Sequence, residues 1–130
     1  MYPQLPENLE FDEHYACFRP VGEVSLQYTV EKIDEVLSIC IDRQVEALMV
    51  NITALDGFSS PSLTDRFTFI SKWSATNKGR VIFAMVAPAE MIDREKIGVT
   101  MARNRGMRSD VFAAETEAIA WILQQLGKSY

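Results

Sequence analysis

Val45-Glu46-Ala47-Leu48-Met49-Val50-Asn51-Ile52 is apolar on both alternating faces, with Leu48, Val50 and Ile52 on one side and Ala47 and Met49 on the other. A strand with one wet face alternates apolar and polar residues, so a strand apolar on both faces must be covered on both. Arg80 to Ala87 repeats the pattern through Val81-Ile82-Phe83-Ala84-Met85-Val86-Ala87. Sheets of this kind carry helices, and the flanking sequence supplies them. Ser25 is a good N-cap for a helix running to about Arg43, because Leu26, Val30, Ile33, Leu37, Cys40 and Ile41 recur at spacings of three and four and form one apolar stripe. After a loop from Leu55 to Ser60, a second helix is expected from Pro61, whose fixed φ suits the first helical position, to about Asn77, with Gly79 ending it.

Further out, a first strand is expected at about Tyr15 to Val21, broken by Gly22-Glu23, with residues 1 to 10, which include Pro3 and Pro6, running extended over the surface. Pro88 opens a polar loop. Asp93 to Arg105 reads as a third helix, on which Ile97, Met101 and Asn104 align and after which Gly106 allows a left-handed turn. A short strand near Val111 and Phe112 and a last helix from Glu115 to Leu126 complete the pattern. Strand and helix alternate, which predicts right-handed crossovers and a mostly parallel sheet. No repeat, low-complexity tract or linker divides the chain. The expectation is one small α/β domain over residues 1–130, with its core in about 15–126, about four or five strands and about four helices.

Composition limits the function classes. The chain of 130 residues is 48% hydrophobic, enough for an ordinary core without disulfides or a structural metal, which rules out disorder and fibrous classes. Its formal charge of −5 argues against nucleic acid as a bulk electrostatic partner. Met1-Tyr2-Pro3-Gln4-Leu5-Pro6-Glu7-Asn8 carries no basic region followed by an apolar run, and the longest apolar run, Val81 to Ala87, is far short of the ~20 residues that span a bilayer. A cytoplasmic protein with no transmembrane segment is expected. Cys17 and Cys40 fall within a strand and a helix and read as small buried hydrophobes.

Several segments in order resemble the STAS domain, the family of anti-sigma-factor antagonists and sulfate-transporter tails, and its SpoIIAA-like branch in particular. Val21-Gly22-Glu23-Val24-Ser25 is similar to the Gly-Glu-Leu-Asp that ends a strand before the first helix of that family. Leu48-Met49-Val50-Asn51-Ile52 followed by Phe58-Ser59-Ser60-Pro61-Ser62-Leu63 resembles its central strand, loop and helix start, usually Asp-Ser-Ser-Gly-Leu. Val111-Phe112 and Glu117-Ala118-Ile119-Ala120 resemble its last strand and helix, so the resemblance covers roughly residues 15 to 126. It implies a regulatory or scaffolding domain rather than an enzyme. Where family members act as phosphorylation switches, alignment on Leu63 places the acceptor at Ser60, although Ser59 replaces the family aspartate and Ser62 its glycine. A phosphate on Ser60 would meet free N–H groups and a favourable dipole at the expected helix start. The alternative is that Ser60 before Pro61, with Asp65 soon after, is a plain N-cap.

No constellation for catalysis assembles. His14 is the only histidine and sits at the expected entrance to the first strand, which leaves no His-rich metal site. Gly57-Phe58-Ser59-Ser60-Pro61 is not a hydrolase nucleophile elbow, there is no phosphate-cradling glycine-rich loop and no Cys-x-x-Cys, so neither an enzyme nor a cofactor is expected. Three features merit a site reading. On the second helix Leu63, Phe67 and Ile70 centre the expected core stripe, while Arg66, Phe69 and Trp73 flank it. That flank either walls an apolar ligand or faces a protein partner, with Arg66 in cation–π contact, or is the aromatic edge of an ordinary core. Trp121 points roughly opposite to Ile119, Ile122, Leu123 and Leu126, which leaves it covered by the N-terminal segment or available to another subunit. Residues 94 to 108 hold Arg94, Lys96, Arg103, Arg105 and Arg108 against only Glu95, a cluster that either binds an anion, through Lys96, Arg103, Arg105 and Arg108, or is a solvated helix with cations near its C-terminal end.

The leading expectation is a non-catalytic STAS-like interaction module that meets its protein partner through Phe58, Ser59, Ser60 and Ser62 and the start of the second helix. Self-association as a two-fold dimer, through Trp121 or a sheet edge, is a variant of it. The alternative is a carrier of a small apolar or anionic ligand or a lipid, of Sec14-like architecture, which needs an apolar cavity of at least about 300 Å³.

Overall fold

The computed structural model describes residues 5–127. Seven strands and four helices follow in the order β1 (Leu9–Phe11), β2 (Ala16–Phe18), β3 (Gly22–Glu23), α1 (Leu26–Asp42), β4 (Ala47–Asn51), β5 (Leu55–Asp56), α2 (Leu63–Asn77), β6 (Ile82–Val86), α3 (Ile97–Asn104), β7 (Ser109–Phe112) and α4 (Glu115–Gln125). The main sheet has the order β1-β2-β4-β6-β7, and every pair in it is parallel except β1 with β2. One helix joins each parallel pair: α1 between β2 and β4, α2 between β4 and β6, α3 between β6 and β7. The expected small, mostly parallel α/β sheet is therefore what the chain forms.

The period of two along the strands divides the core into two layers. Ala16, Phe18, Leu48, Val50 and Phe83 pack with buried residues of α1, α2 and α3, including Ile33, Leu37, Ile70 and Trp73. Cys17, Ala47, Met49, Ile82, Ala84 and Val86 face the other way and are covered by Ala118 and Ile122 of α4. Three helices cover one face and a single short helix covers the other.

Several boundaries differ from the sequence expectation. The single strand expected over Tyr15 to Val21 is shorter, because Pro20 cannot donate a ladder hydrogen bond, and the chain then crosses to pair β3 with β5 in a separate parallel pair. At the end of the segment 1–10 expected to run extended over the surface, Leu9–Phe11 forms an antiparallel edge strand in register with Ala16–Phe18. Residues 1–4 of that segment lie outside the described residues. α1 starts as expected, with the Ser25 hydroxyl accepting the Tyr28 N–H at 3.0 Å.

The second helix begins two residues later than Pro61 predicts. Ser62, not Ser60, is its N-cap: the Ser62 hydroxyl accepts the Asp65 N–H at 3.1 Å, and the Asp65 carboxylate reaches back to the Ser62 N–H. This reciprocal arrangement satisfies two orphan donors at once, so it outcompetes a proline start. The third helix also starts late. Residues 93–96 form a turn, Lys96 is left-handed at φ 49°, and the Asp93 carboxylate accepts the Ile97 N–H at 3.1 Å.

Candidate functional site

Between the sheet and the layer of α1, α2 and α3 lies a cavity of about 140 Å³ that opens at a polar rim and has mostly apolar walls. Its floor is the β6 pair Phe83 and Met85, and one side is α2 through Phe69, Ile70 and Trp73. The aromatic rings form a chain: Phe69 and Trp73 have centroids 4.6 Å apart, and Trp73 and Phe83 are 5.6 Å apart. Trp73 is only 4% exposed, and its indole N–H donates to the Val30 carbonyl at 3.0 Å. That bond fixes the ring against α1 and satisfies the one polar atom it would otherwise bury unpaired. Phe58 and Pro61 bring the loop before α2 to the same cavity.

The rim is polar but internally neutralised. Arg66 does not make the expected cation–π contact with Phe69 or Trp73; its Nη1 donates to Asp93 Oδ2 at 2.8 Å, because a carboxylate within reach outbids a ring face. Lys96 Nζ lies 2.9 Å from Asp110 Oδ1, and Arg103 Nη2 lies 3.6 Å from Asp110 Oδ2 while Arg103 Nε donates to the Ser109 carbonyl at 3.1 Å. The expected anion-binding cluster is thus dispersed. Lys96 and Arg103 share Asp110, Arg105 places its guanidinium carbon 4.6 Å from the Phe67 ring centre, and Arg108 is exposed. The cationic stretch 94–108 stops just short of Asp110, the carboxylate that pairs with Lys96 and Arg103.

On α2 the apolar stripe is rotated from the expected one. Ile70 and Trp73 are buried and Phe69 is half-buried, whereas Leu63 and Phe67 are 55% and 51% exposed. The flank therefore walls the cavity, and two residues assigned to the core stand in solvent. Ser59 and Ser60 are exposed in the loop, and Ser60 lies outside the helix cap that Ser62 and Asp65 complete. Trp121 is also corrected: it does not point away from the core but packs beside Phe112, centroids 5.8 Å apart, at the edge of the layer under α4.

A second polar constellation joins positions far apart in the sequence. Arg19, just after β2, donates to Glu115 at the start of α4 through Nε at 2.8 Å and Nη2 at 3.0 Å, and to Glu10 at 2.9 Å. Asn51, at the end of β4, donates its side-chain N–H to Glu115 at 2.6 Å, and its side-chain Oδ1 accepts from the Thr53 N–H and hydroxyl. The Arg19 guanidinium holds the Glu115 carboxyl below the usual carboxylate range, with Asn51 assisting and burial opposing. With both carboxylate oxygens engaged, this is a clamp that seats α4 on the strand ends. Glu115 in a first helical turn was legible as a dipole partner, but nothing local marks its pairing with Arg19.

The remaining candidates are inert in their surroundings. Cys17 and Cys40 are free, buried thiols pushed up by burial to about 11 and about 12, so both stay protonated. His14 is half-buried, with Nε2 3.9 Å from Glu13 Oε1. Among the described residues no group of three or more His, Cys, Asp or Glu side chains is placed to hold a metal ion, and no helix is long and apolar enough to cross a membrane.

No protein-family profile matches the chain, and no curated protein matches it. Among solved structures it is similar to the NMR structure of the protein TM1081, with a TM-score of 0.47 and 12% sequence identity over 92% of this chain and 88% of that one.

Proposed function

We propose that the chain is a non-catalytic, STAS-like interaction module that binds a protein partner through the loop 58–62 and the first turns of α2. The observation that carries this reading is the exposure of Leu63 and Phe67, one turn apart and beside that loop. Two large apolar side chains at i and i+4 on a helix whose opposite side is packed are a small anchor pair of the kind that protein interfaces desolvate. Arg105 stacked on Phe67 adds the residue type most often found beside such anchors. The order of the segments that resemble the STAS domain supports the same assignment. A carrier enclosing a whole lipid fits less well, since the cavity of about 140 Å³ is under half the ~300 Å³ such a ligand needs.

The test is a photo-crosslinking amino acid placed at position 67 and, as a control, at Tyr28, an exposed aromatic on a different helix. A discrete crosslinked species from position 67 alone, lost on Leu63→Glu, is the expected result. Its mass separates a second copy of the chain from another protein. No crosslink, or the same pattern from Tyr28, overturns the reading. In the switch version Ser60→Ala and Ser60→Asp bind that partner differently, and equal binding by both eliminates it.

A further inference from the structure

We propose that the cavity under α1, α2 and α3 is a binding site for a small neutral aromatic molecule of about ten or fewer non-hydrogen atoms. The pocket opens at its rim and reaches in between the helices and the sheet, and its inner walls are apolar over a space of about 140 Å³, where close packing would ordinarily leave little room. Apolar cavities of about 150 Å³ stay dry when empty and take up benzene-sized guests. The walls favour a ring over an alkyl chain: Phe69, Trp73 and Phe83 present a run of tilted aromatic faces, and the Met85 and Met107 thioethers offer sulfur–aromatic contacts.

The rim sets the charge of the guest. Arg66 is held by Asp93 at 2.8 Å and Lys96 by Asp110 at 2.9 Å, so each cation already has its carboxylate. An anionic guest would have to draw Arg66 away from Asp93, leaving that carboxylate uncompensated, or take Lys96 from the Asp110 it shares with Arg103; a cationic guest meets the converse cost. A neutral guest disturbs neither. The cavity wall on α2 is distinct from the proposed anchor pair, because Phe69 and Trp73 line the cavity while Leu63 and Phe67 face outward from the same helix; the loop 58–62 borders both, through Phe58 and Pro61.

The experiment is an NMR titration of the full chain with toluene and, separately, with sodium benzoate as the anionic analogue. The chain carries its own control, since the Trp73 indole lies in the cavity wall and Trp121 lies in the layer on the opposite face of the sheet. Toluene is expected to move the Trp73 indole N–H and the Met85 and Met107 methyl signals saturably, with a dissociation constant of about 1 mM or tighter, and to leave Trp121 unmoved. Benzoate is expected to bind at least about tenfold more weakly. Val99→Phe, which fills the cavity from α3, is expected to fold and to abolish the toluene response; if it does not fold, Ala102→Val serves in its place. Absence of saturable shifts, equal movement of Trp121, benzoate binding as tight as toluene, or toluene binding retained in a folded filled variant overturns the proposal. If neither filled variant folds, the two wild-type titrations and the Trp121 control decide it.

Discussion

Gly57 adopts φ 107°, and a Cβ there would collide with the carbonyl oxygen and amide nitrogen of Val24, where β5 and the strand before α1 run side by side. Gly22 has a similar φ of 113° but open space around it. Gly57→Ala is therefore expected to cost about 3 kcal/mol and Gly22→Ala about 1 kcal/mol, measured as the shift in urea midpoint at constant slope. The two serines before α2 are a similar pair. Ser62→Ala removes the hydroxyl that accepts the Asp65 N–H and is expected to lose about 1 kcal/mol, whereas Ser60→Ala, in an exposed loop, is expected to be neutral within about 0.5 kcal/mol. Equal losses would mean that the helix begins where Pro61 suggested. The Ser-x-x-Asp spacing of the true cap was present in the sequence, and a proline start obscured it. On α2 the apolar residues Leu63 and Phe67 lie to one side of Ile70, and Phe69 and Trp73 to the other, and periodicity alone does not decide which side joins Ile70 in facing inward. The Trp73 hydrogen bond to α1, a long-range contact, decides it.

Each long, strongly patterned element was legible, because α1, β4, β6 and α4 bury continuous stripes that period alone reveals. The three-residue β1 was not, since an edge strand this short is defined by its partner rather than by its own pattern. The attachment of α4 was equally hidden. Its N-terminus has no side-chain cap on Ala114, and the seat is instead the Glu115 carboxylate, 29% exposed, gripped by Arg19 and Asn51. Glu115→Gln is expected to lose about 1 kcal/mol at pH 7, the modest value reflecting a half-exposed Arg19. The pH dependence follows from the sign of the shift. A carboxyl whose folded pKa is depressed contributes stability above its unfolded value and loses it as pH falls through the folded one. The advantage of wild type over Glu115→Gln is thus expected to shrink as pH drops below the ordinary carboxylate value of 4.5, read as converging Tm values between pH 5 and pH 3. A gap that stays constant over that range would mean that Glu115 acts through packing rather than charge.

The two layers of the molecule are unequal, and each contains one buried cysteine. Cys17 belongs to the layer closed by Ala118 and Ile122 of α4, and Cys40 to the layer closed by α1, α2 and α3. The division between layers follows from the strict alternation along β4 and β6, so this much of the whole was written in the strands. The cavity was not, because free volume depends on how three helices meet, which no single segment encodes. Both thiols are protonated and buried in the native state, so labelling by a thiol reagent requires opening of the layer that contains each one. Ile122 is fully buried, and Ile122→Ala should weaken the α4 layer by about 3 kcal/mol. If α4 opens as its own unit, that change raises the labelling rate of Cys17 by roughly 100-fold and leaves Cys40 nearly unchanged, because the three-helix layer stays shut. If the domain opens only as a whole, both cysteines accelerate by the same factor. The clamp makes the first outcome the expected one: α4 is seated on the strand ends by Glu115 and on the sheet by one apolar stripe, whereas α1, α2 and α3 also pack on one another. Per-site labelling rates, resolved by peptide mass, separate the two behaviours in a single time course.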